Sequence, residues 1–384
     1  MDRRTSEPRE PRELTPGSSP DALLLWPFAA AKFATDSFRW WLETYAGQPA
    51  AENATAAPDW TTPNEVTLEL TSMQLRDFSC GVGGPPVLVC APYALHRALI
   101  ADFAPGHSIV ETLHAGGVER VFLTDWRSAT PEMRYLSIDS YLADLNIAID
   151  EIGPPVDLVG LCQGGWLSLV YAARFPHKVR RLVLVGAPVD MRVQSELSRL
   201  VAELPSAGFD ELVRRGDGIV SGRHMIQSWS NALAPHDLED LLAHALTCAP
   251  AERAKHRERF RSWDQAPLDL PGAYYLQVVN WIFKENRIAE DRFVALGRTV
   301  RLADVIAPLF LLTAVEDEVV PPAQTLVTAR LVGTPAAFVE TVTEPCTHLG
   351  LFMGAEALDN SWRRIARWLA ADAPSVSERK SATG

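Results

Sequence analysis

The segment that most constrains the fold is 156–175, where an apolar run meets a glycine-rich turn and then a helical pattern. The turn reads Gly160-Leu161-Cys162-Gln163-Gly164-Gly165. Small residues two positions before and two after a central side chain let a buried strand turn sharply into a helix. The three glycines therefore predict a strained elbow that projects Cys162 over the carboxyl edge of a sheet. The alternative is a tight strand–helix turn with an inert, buried cysteine.

Short apolar runs alternate with helical patterns over most of the chain. The predicted strands are 65–70, 86–90, 120–124, 156–161, 181–186, 308–314 and 337–342, and the predicted helices include 141–152, 164–175 and a closing helix with Trp362, Ile365, Ala366 and Leu369 on one face. Strands that alternate with helices form mostly parallel sheets covered on both faces. Together with the elbow, this pattern predicts an α/β-hydrolase fold whose core spans 64–189 and 291–371.

The remaining segments are assigned by composition. Between 190 and 290 the strand pattern is replaced by charged, helical sequence, which predicts a helical cap inserted over the site. The segments 1–20 and 372–384 have the composition of disordered tails, and 21–63 reads as an aromatic helical segment followed by a linker. The aromatic part, 21–46, fits either a helix packed on the main domain or a hydrophobic surface for a partner or a lipid-like polymer.

Charge and cysteine content exclude several classes of function. The chain has 384 residues and a formal net charge of −12, so it has no broad positive surface for nucleic acid. No run reaches the roughly 18 apolar residues of a transmembrane segment, and the N-terminal sequence lacks the features of a secretion signal. Five widely spaced cysteines without a CxxC pair are typical of free thiols in a reducing compartment. We therefore expect a cytoplasmic protein.

Cys162 is the predicted nucleophile. The helix that follows it points its N-terminus at the thiol, which favours the thiolate. The backbone N–H of Gln163 is the predicted first donor to an oxyanion. The loop after the strand ending at Cys90 is expected to supply the second donor, and the N–H of Ala94 is the candidate there.

Asp317 and His348 are the candidates for the acid and the base of a triad. In α/β-hydrolases the order along the chain is nucleophile, acid, histidine. Asp317 follows the strand 308–314 in a D-x-x-V-P sequence, and His348 comes 31 residues later, with no competing histidine in this part of the chain. The neighbouring Glu316 and Glu318 are interpreted as solvated loop carboxylates.

With these residues in view, the chain resembles the polyhydroxyalkanoate synthases over roughly 64–370. The motifs that carry the resemblance are the loop and helix 92–108, Asp125-Trp126-Arg127, the cysteine box 160–165, Leu270-Pro271-Gly272 followed by Glu285-Asn286, and Asp317 with Val320-Pro321 and His348. Gln163 and the length of the chain are similar to those of the short synthases that work with a second subunit. Glu318 and Thr347 depart from the family pattern, which often has histidine and glycine there.

The resemblance implies acyl transfer with (R)-3-hydroxyacyl-coenzyme A as the substrate and a growing polyester chain as the product. It implies no metal and no redox cofactor, because coenzyme A enters only as part of the substrate. It also implies a helical partner subunit or self-association, and a location in the cytoplasm or at the surface of polyester granules.

Two other functions remain open at this point. The first is hydrolysis by the same three residues, as in an intracellular polyhydroxyalkanoate depolymerase or a thioesterase. Depolymerases of this lineage typically have proline after the C-Q pair, so Gly164 favours the synthase. The second is a non-catalytic, granule-associated relative that attaches through its aromatic N-terminal segment.

Overall fold

The structure, a computed structural model, describes residues 58–193, 195–225 and 250–372. The tails predicted at 1–20 and 372–384 lie outside these ranges, apart from Asp372, as does the aromatic segment 21–46. The strands are β1 (Glu65–Glu69), β2 (Met73–Asp77), β3 (Val87–Cys90), β4 (Asp102–Ala104), β5 (His107–Ser108), β6 (Val121–Trp126), β7 (Val156–Leu161), β8 (Val179–Val185), β9 (Ile219–Val220), β10 (Leu270–Pro271), β11 (Val294–Ala295), β12 (Arg298–Thr299), β13 (Leu309–Glu316) and β14 (Val339–Thr347).

The helices occupy the segments between these strands and the end of the described chain. They are α1 (Ile109–Ala115), α2 (Ile138–Ile152), α3 (Gln163–Arg174), α4 (Glu196–Glu203), α5 (Ser206–Arg215), α6 (Pro250–Asp264), α7 (Gly272–Gln277), α8 (Pro322–Leu326), α9 (Thr328–Leu331), α10 (Gly350–Met353), α11 (Ala355–Ala357) and α12 (Arg363–Ala370). Two π-helical segments, Val278–Lys284 and Leu358–Trp362, continue α7 and precede α12. In the part of the chain that the structure covers, no helix is long and apolar enough to cross a membrane.

Within the described residues, eight strands form the main sheet in the order β1-β2-β6-β3-β7-β8-β13-β14. From β6 to β14 each neighbouring pair is parallel, and only β2 runs against the others. The predicted α/β-hydrolase fold with its mostly parallel sheet is confirmed. Because parallel strands end at the same edge of a sheet, the loops after β3, β7, β13 and β14 meet there.

The core lies on both faces of the central strands. Every residue of β3, β6 and β7 is buried, which is expected for parallel strands covered by helices on either side. All four residues predicted for the inner face of the closing helix are also buried. One strand of the main sheet was missed by the sequence patterns: β2 is short, and its alternation of Met73 and Leu75 with polar residues spans only five positions.

The segment 190–290 is helical where it is described, in α4 to α7 and the π-helical segment, with one departure from the prediction. Val220 pairs with Leu270, and Ile219 pairs with Pro271, in the short antiparallel ladder of β9 and β10. Two residues on each side are too few to produce a readable alternation in the sequence. The ladder brings the start of α7 back against the end of α5.

Candidate active site

Cys162 lies at the turn between β7 and α3, with a backbone conformation of φ 47° and ψ −115°. Positive φ is costly for a residue with a side chain, so the surroundings must hold this turn in place. The N–H of Cys162 donates to the carbonyl of Val185 on the neighbouring β8 at 2.9 Å, and the N–H of Gly165 donates to the carbonyl of Cys162 at 2.8 Å. The side chain of Cys162 is partly exposed.

The three glycines of the turn are required by close approach. A Cβ on Gly160 would lie 2.6 Å from the Cα of Gly165, and a Cβ on Gly165 would lie 2.4 Å from the Cβ of Ala187. A Cβ on Gly164 would lie 2.1 Å from the carbonyl oxygen of Cys90. Helix α3 therefore packs directly against the backbone of β7 and of the loop after β3.

Asp317 and His348 meet at the ends of the last two strands. The ring Nδ1 of His348 is 2.7 Å from Oδ2 of Asp317, and the Asp317 side chain is fully buried. The other oxygen of Asp317, Oδ1, accepts the N–H groups of Val319 at 3.0 Å and Val320 at 2.7 Å. The carboxylate is thus fixed from both sides, and an N–H at Nδ1 of His348 leaves Nε2 for another partner.

His348 is also coupled to Cys162. Burial alone would lower the pKa of His348, but the charge of Cys162, the charge of Asp317 and hydrogen bonds to both side chains raise the pKa well above its usual value. A positively charged imidazole between a carboxylate and a thiolate can exchange a proton with the sulfur. The structure therefore brings the three residues singled out from the sequence into one cluster, in which Asp317 and His348 are buried and Cys162 is partly exposed.

The loop after β3 lies beside the elbow. The N–H groups of Gln163 and Ala94 donate no hydrogen bond within the described residues, and both residues are partly exposed. The side chain of Gln163 accepts a bond from the indole N–H of Trp166 at 2.5 Å, which directs it along the helix. Free backbone donors next to a nucleophile are what an oxyanion site requires.

Gly186 is a residue of this site that the sequence patterns did not single out. It follows β8 with a φ of +52°, and a Cβ there would lie 3.2 Å from Cε1 and 3.4 Å from Nδ1 of His348. The ring of His348 therefore occupies the space that a side chain at position 186 would need. A glycine directly after an apolar strand, at the same sheet edge as Cys162, was the available signal.

Two other potentially reactive side chains, His96 and Cys90, have packing roles. His96 is 2.9 Å from Asp264 and stacks on Trp263 with ring centroids 4.3 Å apart. Burial raises the pKa of the Cys90 thiol to about 12, although hydrogen bonds to Ser168 and Thr124 act in the opposite direction. Cys90 is therefore a neutral thiol in the core.

Two further titratable groups near the triad, Cys346 and Glu318, also have raised pKa values. Burial, with help from nearby carboxylates, raises the pKa of the Cys346 thiol to about 12. Glu318 is exposed, as the sequence predicts, yet removal of part of its solvent by the neighbouring protein raises its pKa above the usual value. Within the described ranges, no group of three or more His, Cys, Asp and Glu side chains could hold a metal ion.

A strained cysteine elbow, a late Asp–His pair and this strand order define a member of the α/β-hydrolase class. A family model described as alpha/beta hydrolase fold matches residues 107–355, and the chain belongs to this family. The monoacylglycerol lipase of Paleococcus ferrophilus superposes with a TM-score of 0.50 at 16% identity, covering 78% of this chain and 99% of that one, which shows the fold alone.

Within the class, the chain is a relative of poly(3-hydroxyalkanoate) polymerase subunits. It is 28% identical over 322 residues to subunit PhaC of Synechocystis sp., which covers 80% of this chain and 84% of the relative. It is 26% identical over 330 residues to subunit PhaC of Allochromatium vinosum, which covers 83% of this chain and 91% of the relative. The resemblance to the synthase family noted in the sequence is therefore confirmed over most of the chain.

Proposed function

We propose that this protein is an acyltransferase that polymerises (R)-3-hydroxyacyl-coenzyme A thioesters into a polyhydroxyalkanoate, with Cys162, His348 and Asp317 as its catalytic triad. The observation that carries the proposal is the hydrogen-bonded His348–Asp317 pair coupled to a cysteine at an elbow. The relationship to PhaC subunits supports the choice of thioester substrate.

In the first half of the reaction, the Cys162 thiolate attacks the carbonyl carbon of the substrate thioester. The negative charge on the carbonyl oxygen is held by the N–H groups of Gln163 and Ala94. The bond to the coenzyme A sulfur breaks, and the leaving thiolate takes the proton carried by His348. Exchange of one thioester for another is nearly balanced in free energy, which suits a thiol nucleophile.

In the second half, His348 accepts the proton of a hydroxyl group on another hydroxyacyl unit. That oxygen attacks the acyl group on Cys162, an ester bond forms, and the sulfur is released as a thiolate. Asp317 holds the imidazole in one orientation and stabilises its positive charge in both halves. Repetition of the cycle lengthens the polyester by one unit at a time.

The test is incubation of purified protein with 3-hydroxybutyryl-coenzyme A, following free coenzyme A and insoluble polymer together. We expect both products from the wild type and neither from Cys162→Ala. The matched control is Cys80→Ala, since Cys80 is an exposed thiol far from the elbow, beside His114. Equal release of coenzyme A and polymer by wild type and Cys162→Ala would contradict the proposal.

A second candidate is hydrolysis of a polyester or thioester by the same triad, and it is favoured by the partial exposure of Cys162. Water that reaches the acyl-enzyme would compete with the hydroxyl of a growing chain. In the same experiment, a hydrolase would release coenzyme A and free hydroxy acid without polymer.

Partner and location are part of the same proposal. We expect a helical partner subunit, or self-association, and a place in the cytoplasm or on polyester granules. Absence of turnover in the wild type would direct the next test to a partner subunit or to the non-catalytic, granule-bound alternative. Removal of 1–46 that abolishes granule association but not turnover would separate attachment from catalysis.

A further inference from the structure

The loop after β3 is held through alternate carbonyl groups. The carbonyl of Ala91 accepts the indole N–H of Trp126 at 2.8 Å. The next three bonds come from the segment 263–274: the Tyr274 hydroxyl donates to the Tyr93 carbonyl at 3.2 Å, the Leu268 N–H to the Leu95 carbonyl at 2.7 Å, and the Trp263 indole to the Arg97 carbonyl at 3.0 Å. The cap thus fixes the orientation of three alternate peptide groups in the loop that contains Ala94.

Of these donors, Tyr274 is the one that binds the peptide group next to Ala94, the candidate oxyanion donor. Its side chain is buried, and burial raises the pKa of its hydroxyl well above the usual value, with the charges of Tyr93, Cys90 and Cys162 acting in the same direction. The hydroxyl is therefore protonated at all working pH values and acts as a donor.

The peptide group that Tyr274 binds is the one that carries the N–H of Ala94. In a trans peptide the C=O and N–H bonds point in opposite directions. A donor on the Tyr93 carbonyl therefore fixes the direction of the Ala94 N–H, and it also polarises that N–H, because hydrogen bonds in a chain strengthen one another. The Ala94 N–H donates to no residue in the described structure, so it is free to bind a ligand atom.

We infer that Tyr274, a residue of the cap, is the positioning residue for the oxyanion site: its hydroxyl aligns the Tyr93–Ala94 peptide so that the Ala94 N–H binds the developing oxyanion. The inference rests on the proposed acyl transfer at Cys162. It assigns the cap a part in the chemical step, because loss of this contact would weaken the oxyanion site without touching the triad.

The test compares Tyr274→Phe with Tyr275→Phe. Each removes one buried hydroxyl from adjacent positions of α7, but the Tyr275 hydroxyl contacts Met225 Sδ at 3.9 Å instead of the loop. Acylation of Cys162 is measured by stopped-flow and mass spectrometry with 3-hydroxybutyryl-coenzyme A and with p-nitrophenyl butyrate. Alkylation of Cys162 by iodoacetamide is measured in parallel, since that reaction forms no oxyanion.

We expect Tyr274→Phe to lower the acylation rate constant for both acyl donors roughly tenfold, less than the loss of a whole oxyanion donor. KM and the alkylation rate should stay at the wild-type values, and Tyr275→Phe should match the wild type throughout. Equal alkylation and acylation losses in Tyr274→Phe would indicate general disruption of the site and overturn the inference. Wild-type acylation by Tyr274→Phe would also overturn it.

The p-nitrophenyl ester separates this inference from the proposed function. If the wild type reacts with the ester but makes no polymer, the polymerase proposal fails while the comparison of Tyr274→Phe with Tyr275→Phe still tests the oxyanion site. If polymer forms normally in Tyr274→Phe, the polymerase proposal stands and the inference about Tyr274 fails.

Discussion

Glu316, the last residue of β13, pairs with Thr347, the last residue of β14. The residues that follow this pair are Asp317 and His348. The pairing shifts by one residue between Ala314 and Glu316, and this irregularity brings the carboxylate and the imidazole to the same level of the sheet edge, because the regular register would place Asp317 opposite Thr347. A shift of one residue in the register would separate them by about 3.3 Å along the strand. The 2.7 Å contact between them is therefore a consequence of strand pairing.

The coupling of His348 to Cys162 predicts the pH dependence of thiol reactivity. The pKa of His348 is raised, so its positive charge is present below that pKa and is lost as the pH rises through it. The charge stabilises the thiolate, which means that the wild type should exceed His348→Gln in iodoacetamide alkylation of Cys162 most strongly at low pH. We expect the ratio of the two alkylation rates to be well above one at pH 6.5 and to fall as the pH rises.

At alkaline pH the two alkylation rates should converge, because the imidazole is then neutral and no longer contributes its positive charge. His177→Gln is the control, since the side chain of His177 is exposed and follows the opposite end of α3 from Cys162. A ratio that stays constant from pH 6 to pH 10 would show that His348 acts on Cys162 by shape and not by charge.

The close packing at the elbow predicts that one methyl group added at Gly164 has a large effect on stability and activity. In Gly164→Ala the added Cβ would lie 2.1 Å from the Cys90 carbonyl oxygen and 2.7 Å from the Ala91 carbonyl oxygen, and neither backbone atom can move away cheaply. We expect the free energy of unfolding to fall by about 3 kcal/mol, with loss of acylation at Cys162. Urea unfolding and p-nitrophenyl butyrate turnover measure the two effects.

Gly83→Ala is the matched control for this substitution. Its Cβ would approach Oε2 of Glu119 at 2.8 Å, but that atom is the end of a flexible side chain. A loss of stability in Gly83→Ala as large as that in Gly164→Ala would show that the sheet edge at the elbow is no tighter than an ordinary loop.

The sequence predicted the elements whose signal is local. The elbow needs small residues at fixed spacing around Cys162, and the apolar strands before it and before Asp317 are continuous runs, so each could be read from a few neighbouring positions. The order of the three candidate residues along the chain then followed from the connectivity of the fold. The structure brings them together as that order implies.

The parts that escaped prediction depend on contacts between distant segments. Nothing near position 274 in the sequence indicates that its hydroxyl binds a carbonyl 181 residues earlier. Gly186 makes room for a ring that comes from position 348. The ladder of β9 with β10 spans fifty residues and only two pairs. Such contacts are set by packing of the whole chain, which local periodicity does not contain.

Asn286, part of a motif in the sequence resemblance, should stabilise the junction between the cap and the core. It is buried with a φ of +50°; its Oδ1 accepts the Met191 N–H at 2.9 Å and its Nδ2 donates to Asp190 at 2.8 Å. Asn286→Gly should lose about 2 kcal/mol through the unpaired buried groups. Asn286→Ala should lose about 1 kcal/mol more, because alanine disfavours positive φ.

Chemical denaturation of the two variants measures the difference directly. Glycine and alanine both remove the amide, so only the backbone conformation distinguishes them. A glycine variant that is less stable than the alanine variant would contradict the role assigned to the positive φ of Asn286.

The hydrogen bonds of Arg181, a residue of β8, predict how the end of the closing helix α12 is attached to the sheet. Its buried guanidinium donates to the carbonyls of Leu369 at 3.0 Å, Ala371 at 2.9 Å and Asp372 at 2.8 Å, in the last turn of α12 and just beyond it, where the helix has no internal donors left. Arg181→Met should therefore leave the carbonyls of Ala371 and Asp372 without this donor, while the Leu369 carbonyl keeps its bond from Arg180, and should cost about 3 kcal/mol. Hydrogen exchange should show the amides of α12 opening before those of β7.

Arg364→Met is the control: it removes the same charge from the exposed side of α12, where Arg364 pairs with Glu340, and it should leave the exchange pattern unchanged. Equal acceleration of exchange in both variants would mean that α12 is held by its apolar face alone.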